Sequence, residues 1–203
     1  MSFITFEGID GSGKTTQARR LVDWMIGQGR DVVFTREPGG SAGAEQIRKL
    51  VLEGATDRWS AETELLLFTA ARRDHLERLI NPALEEGKVV VCDRFIDSTR
   101  VYQGLRQADM RELVAALHRL MIHREPDLTM LIDMEPHLGL DRAVARGGEE
   151  ARFEAFGLEL QKTIRAGFLQ LARDCPDRIV VIDGNRDIES VAADVTAAVE
   201  ARL

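Results

Sequence analysis

Residues Gly8-Ile9-Asp10-Gly11-Ser12-Gly13-Lys14-Thr15 fit the pattern G-x-x-x-x-G-K-[ST] at every fixed position. An apolar, β-branched run, Phe3 to Glu7, precedes them, and a segment of helical period begins at Lys14. A strand, a glycine-rich turn and a helix in that order constrain the chain strongly. The glycines let successive N–H groups point inward at an anion, and the helix N-terminus adds partial positive charge. Lys14 then reaches terminal phosphates, and Thr15 offers its hydroxyl to a Mg²⁺ riding on a nucleotide. A glycine-rich turn that binds nothing is the bland alternative; the strand before and the helix after it argue against that.

The rest of the chain repeats the strand-then-helix alternation. Strand candidates are Phe3 to Glu7, Asp31 to Thr35, Lys88 to Cys92, Leu128 to Ile132 and Arg178 to Ile182. Runs such as Val89-Val90-Val91 and Ile179-Val180-Val181-Ile182 are apolar without alternation, as strands covered on both faces are. Helix candidates run from Lys14 to Gln28, Ala44 to Glu53, Ala61 to Glu86, Met110 to His123, Pro136 to Arg146, Glu154 to Cys175 and Ile188 to Arg202. The predicted fold class is α/β: a three-layer, doubly wound, five-stranded parallel sheet with helices on both faces. With 203 residues, one domain over 1–203 is expected. The segment Gly147 to Arg152, with paired glycines and charges, predicts a mobile loop, a short lid at about 143–153.

Charge and composition exclude several classes. A net charge of −7 opposes binding of a nucleic-acid polymer or an anionic membrane surface. The longest apolar runs are strand-sized, far short of the roughly 20 residues of a membrane span, and Met1 to Glu7 lacks the pattern of a secretion signal. Cys92 and Cys175 belong to no ligand cluster, which fits a reducing cytoplasm. The four histidines, His75, His118, His123 and His137, never fall at metal-ligand spacing and are expected on the surface or half-buried. No Asn-Lys-x-Asp tetrapeptide occurs, so a guanine-reading switch recedes. Asp93 ends the third strand at the carboxyl edge of the sheet, where open α/β folds bind ligands; it is a candidate Mg²⁺ partner or, alternatively, a helix cap.

Several blocks carry a wider resemblance: the phosphate loop, Thr35-Arg36-Glu37-Pro38-Gly39-Gly40, Leu67-Phe68-Thr69-Ala70-Ala71-Arg72, Asp93-Arg94-Phe95 through Tyr102-Gln103-Gly104, Pro126-Asp127-Leu128-Thr129 and Arg152-Phe153-Glu154. In these, and in their order, the chain closely resembles bacterial thymidylate kinases of the P-loop nucleoside monophosphate kinase superfamily. The resemblance implies ATP-dependent, Mg²⁺-assisted phosphorylation of dTMP to dTDP by direct in-line transfer, supplying dTTP for DNA synthesis, in a cytoplasmic homodimer. It implies that the loop from Gly8 through Ile9, Asp10, Gly11, Ser12, Gly13, Lys14 and Thr15 to Thr16 holds ATP, and that Arg142 stacks on the donor adenine. Phe68 and Arg72 would hold the thymine by stacking and by a hydrogen bond to O4. They stand one helical turn apart. Arg36 and Arg94 would fork onto the acceptor phosphate, and Ser98, Thr99, Tyr102 and Gln103 would line sugar and base, Tyr102 near the 2′ position. For Phe68 alone, ordinary core packing is the competing account.

Asp10 sits inside the phosphate loop, where an acid would repel ATP unless it served another partner; in the family, this position contacts the acceptor sugar and metal-bound water. The loop holds no arginine, so the cation that neutralises the moving phosphoryl group comes from elsewhere. The lid is the expected source, which makes Arg146 and Arg152 the catalytic candidates beside Lys14, Asp10 and Arg94. Thr15 and Asp93 are the metal candidates. Phe95 and Val101 depart from the residues usual in the family, and Val101 is expected to add bulk near the sugar-base pocket. The segment Met110 to His123, apolar at Leu113, Val114, Leu117 and Leu120, predicts a one-faced helix, either buried in a helix layer or part of a dimer interface. A kinase for another monophosphate or for a nucleoside, a slow ATP-hydrolysing regulatory module and a vestigial nucleotide-binding or partner-binding protein are the rival readings.

Overall fold

The computed structural model describes residues 2–55, 58–104, 108–146 and 157–202, without the side chains of 108 and 143–146. Five strands, β1 Ser2–Glu7, β2 Val32–Arg36, β3 Val89–Asp93, β4 Leu128–Asp133 and β5 Ile179–Asp183, form one sheet in the order β2-β3-β1-β4-β5. All four pairings are parallel. The chain runs outward from β1 to β2 and then crosses back to β4, so the order reverses at β1. Strand ends at such a switch point open a crevice for ligands. β1 delivers Glu7 and Gly8 there, β2 delivers Arg36 and Glu37, and β3 delivers Asp93 and Arg94.

Alternate strand residues face two different helix layers, as a period of two requires. Ile4, Phe6, Val91 and Met130 pack with α1 Lys14–Gly27 and α9 Ile188–Glu200. On the other face, Phe3, Val90 and Cys92 meet the helical stretch of α3 Ala61–His75, a π-helical turn Leu76–Ile80 and α4 Asn81–Glu85. Beside them, Leu131 and Ile179 meet α8 Gly157–Asp174 and Val101 of α5 Ile96–Tyr102. The remaining helices are α2 Ala42–Leu52, α6 Ala108–Leu117, continued by a second π turn His118–Ile122, and α7 Pro136–Arg146. The expected doubly wound sandwich is the observed one.

Three local features depart from expectation. The single helix predicted from Ala61 to Glu86 runs without a break to Glu85 but carries a π turn at Leu76–Ile80. Helix α5 has no counterpart among the predicted elements. Its start is capped from far away in sequence: Oε1 of Glu7 accepts from the N–H groups of Phe95 at 2.8 Å and Ser98 at 3.1 Å. It is also pinned beneath, because buried Asp97 accepts from Arg178 at 2.6 and 3.0 Å and from Arg100 at 2.8 Å. Finally, Val101 lies in the core among Ile9, Leu131 and Phe168, so its bulk supports α5 from behind and does not enter the sugar-base pocket as expected.

Candidate active site

The loop between β1 and α1 has the backbone of an anion cradle. Gly8, Gly11 and Gly13 have φ of 140°, 75° and 93°, a region only glycine enters without strain. Two of them also lack room: a Cβ on Gly8 would stand 2.5 Å from the Ile132 carbonyl oxygen, and one on Gly11 would stand 2.0 Å from that of Gly139 in α7. Lys14 is buried, and its Nζ donates to the Ile9 carbonyl at 2.7 Å, folding over the loop. The buried Ser12 Oγ has no hydrogen-bond partner among the described residues. Such an orphaned donor calls for a ligand oxygen.

Asp10 and Arg94 join this loop to the second half of the site. Arg94 has φ of 69°, a left-handed conformation that is strained for a side-chain-bearing residue. It aims the guanidinium back over the loop, where Nη1 donates to the Gly8 carbonyl at 3.3 Å and to Ser98 Oγ at 3.0 Å, while Nη2 pairs with Asp10 Oδ1. Tyr102 lies against both: its OH donates to Asp10 Oδ2 at 3.4 Å, and its ring carries the Arg94 guanidinium 5.2 Å from its centroid. Burial alone would raise the Asp10 carboxyl, but Arg94 and Lys14 outweigh it and hold the group below its ordinary value, with Gln161 and Tyr102 hydrogen-bonded to it. Burial, reinforced by the nearby charge of Asp97, pushes Glu7 up to about 7. Glu7 Oε2 accepts the Ser98 hydroxyl at 2.6 Å, so Glu7 supports Arg94 through Ser98.

Next to Arg94 opens a pocket lined by Asp10, Phe68, Arg72, Ser98, Tyr102 and Gln103 among others. Glu64, Phe68 and Arg72 stand four residues apart on α3, so they share one helix face. Arg72 is held rigidly: Nε donates to Glu37 Oε2 at 2.7 Å, Nη2 to the Phe95 carbonyl at 3.2 Å and to Thr99 Oγ1 at 3.1 Å, and its guanidinium lies over the Phe95 ring. Phe68 is half-buried and belongs to none of the four core clusters. An aromatic face left open in a pocket beside a fixed donor suits a flat heterocycle. The family profile for thymidylate kinase matches residues 6–195. The chain belongs to the thymidylate kinase family.

Relatives bearing that family's name agree over nearly the full length. A thymidylate kinase of Ruegeria pomeroyi is 67% identical over 201 residues, covering 99% of this chain and 95% of that protein. One of Dinoroseobacter shibae is also 67% identical, over 96% of this chain and 94% of its own. A crystal structure of thymidylate kinase from Ehrlichia chaffeensis superposes with a TM-score of 0.79 at 37% identity, covering 98% of each chain.

Most of the residues singled out in the sequence converge here, and some do not. Gly8 to Thr16 form the cradle and first helical turn; Arg72, Arg94, Ser98, Thr99, Tyr102 and Gln103 surround the pocket with Phe68. Arg36 stands apart: it is exposed at the end of β2 and pairs with Glu45 at 3.2 Å. Arg142 is exposed on α7, with Nη1 on Met134 Sδ at 3.5 Å. The Arg146 side chain, Arg152 and nearly all of the expected lid lie outside the described residues. His75 corrects an expectation, since it is wholly buried. Its two ring nitrogens meet Glu37 Oε1 at 3.1 Å and Thr35 Oγ1 at 2.7 Å, which satisfies a buried imidazole. Glu7, Glu37, Glu64, His75 and Gln161 were not among the predicted site residues; Glu7 directly before the glycine loop and Glu37 inside the Thr35 to Gly40 block were the available signals.

Thr15 and Asp93 fit a Mg²⁺ site. The Thr15 hydroxyl is hydrogen-bonded to Asp93 Oδ2, which places two hard oxygen donors at the mouth of the cradle. Mg²⁺ is commonly held by one or two such groups together with substrate phosphates.

Proposed function

We propose that this chain transfers the γ-phosphoryl group of ATP to dTMP, releasing ADP and dTDP. One observation carries the reading: Arg94 spans the gap between the phosphate cradle and the aromatic pocket, touching Gly8 and Asp10 on one side and Ser98 on the other. A cation at that point faces both the donor's terminal phosphate and the acceptor's. Gly8 to Thr16 hold the ATP phosphates with backbone N–H groups and Lys14. Thr15 and Asp93 would hold the Mg²⁺ that accompanies ATP, which would supply neutralising charge to the phosphates. Phe68 stacks on the thymine, Arg72 donates to its O4, and Tyr102 and Asp10 bound the sugar.

An oxygen of the acceptor phosphate attacks the γ-phosphorus in line, that bond forms as the bond to ADP breaks, and no covalent enzyme intermediate is needed. Catalysis then rests on positioning and charge neutralisation. Arg94 acts on both phosphates, and Arg146 or Arg152 supplies the lid cation. Arg36 joins the acceptor phosphate only by exchanging its contact with Glu45, an exposed pair of small energy.

The same reading includes a homodimer. Leu66 on α3, Leu113 on α6 and Leu120 and Met121 in the following π turn are 56%, 38%, 64% and 48% exposed. The two segments adjoin, since Arg73 Nη1 donates to the Met121 carbonyl at 2.9 Å. An apolar patch of this kind suits a self-complementary contact, and sedimentation equilibrium checks it. None of the described helices is long and apolar enough to cross a membrane, and both cysteines are free, which supports a cytoplasmic setting.

A coupled assay of ADP release with Mg-ATP, comparing dTMP, dUMP, UMP, CMP, GMP and no acceptor, tests the proposal. Strong preference for dTMP supports it. Preference for another monophosphate leaves the chemistry and overturns the pocket; release independent of acceptor overturns both.

A further inference from the structure

Gln103 closes α5, is 2% exposed, and lines the pocket beside Phe68 and Arg72. Its Nε2 donates to Oε1 of Glu64 at 2.9 Å, and Glu64 is wholly buried on α3, one turn before Phe68. A carboxylate has no proton to give, so the amide nitrogen must face it and the carbonyl oxygen must turn the other way. Without that partner, the two ends of a glutamine amide are nearly interchangeable in shape, and either could face a ligand.

We infer that Glu64 is a positioning residue that sets base specificity: by accepting Gln103 Nε2, it commits Gln103 Oε1 to the pocket as a hydrogen-bond acceptor. This rests on the reading of the pocket as a pyrimidine site. Arg72 can only donate, so the pair presents a donor beside an acceptor. Thymine and uracil carry the complement, an acceptor at O4 next to a donor at N3–H. Cytosine carries the reverse, an amino group at C4 and a bare N3, and meets a mismatch at both places. Leaving two polar contacts unmade in a buried site discriminates far more strongly than a change of shape.

The test compares kcat/KM for dTMP and dCMP in the wild type, in Glu64→Gln, and in Glu64→Gln combined with Gln103→Glu. A glutamine at 64 pairs with either end of the Gln103 amide, so the orientation is released. We expect KM for dTMP to rise about tenfold, one hydrogen bond's worth, with kcat within about twofold, and the dTMP:dCMP ratio to fall by at least that factor. The exchanged pair puts the acceptor-only group at 103, with the amide behind it, and should restore the ratio. A third comparison, Glu64→Gln in a Gln103→Ala background, should leave the ratio unmoved, because the residue through which Glu64 acts is gone. A purely structural Glu64 would lower Tm and leave the ratio intact, which overturns the inference, as does an exchanged pair that folds and still accepts dCMP. Should Glu64→Gln alone not fold, the exchanged pair decides. If the wild type itself does not prefer dTMP, the proposed function fails; a wild type that prefers dTMP with an unmoved ratio in folded Glu64→Gln sinks only the role of Glu64.

Discussion

Arg72 Nε donates to Glu37 Oε2 across 2.7 Å, with the two side chains only 3% and 5% exposed. Removing one partner of such a pair strands the other charge away from water. Glu37→Gln should therefore cost about 3–5 kcal/mol of stability, seen as a loss of roughly 10 °C in Tm. Because Glu37 also receives His75, the same change should loosen Arg72 and raise KM for dTMP. A variant with unchanged Tm would show the pair to be dispensable.

Phe68→Ala tests stacking against packing. Phe68 lines the pocket and lies outside the core clusters, so truncation should leave Tm almost unchanged. Stacking on a base is worth about 1–3 kcal/mol, and KM for dTMP should rise roughly 5- to 150-fold. An unchanged KM with a lowered Tm would return Phe68 to the core.

Arg94 invites an inverted comparison. Glycine normally destabilises relative to alanine, but at φ of 69° alanine bears a left-handed cost of about 1 kcal/mol that glycine escapes. Arg94→Gly should thus be more stable than Arg94→Ala by about that amount in urea denaturation. Both should lose turnover by roughly 10²–10³ while binding ATP nearly as the wild type does. Lost ATP affinity would mean that Arg94 serves the donor alone.

Glu7 gives a pH signature. Its carboxyl titrates near 4.5 when unfolded and at about 7 in the fold. Between those values, the native state holds the extra proton, so stability falls as pH rises from about 4.5 to about 7 and is level above. Glu7→Gln resembles the protonated form: its carbonyl can still accept from Phe95 and Ser98. The variant should match the wild type near pH 4.5 and exceed it at pH 8, by on the order of 3 kcal/mol at most, measured by urea midpoints at both values. Equal slopes for the two proteins would assign the pH dependence to other groups.

The parallel sheet and the phosphate cradle were legible because each is written in contiguous residues: apolar runs for the strands, fixed spacing for Gly8 to Thr15. What escaped the sequence depends on distant partners. Helix α5 is begun by Glu7, |i−j| of 88 and 91 from Phe95 and Ser98, and no local cap announces it. His75 looked like a surface residue because its charge-bearing neighbour, Glu37, stands 38 positions away. Val101 looked like a pocket residue because it precedes Tyr102, yet neighbouring helix positions point about 100° apart, and Val101 faces inward.

Gly11 and Gly139 bring the cradle and the first turns of α7 into contact through bare backbone: a Cβ on Gly139 would stand 2.7 Å from the Asp10 carbonyl oxygen, as one on Gly11 would crowd Gly139. The Ile9 side chain closes the same contact, its Cδ1 2.9 Å from where a Gly139 Cβ would stand. Helix α7 leads toward the expected lid, so a side chain at either glycine would wedge the loop away from the base of that helix. The seat of the phosphate loop on its neighbouring helix thus depends on two missing side chains, one on each surface.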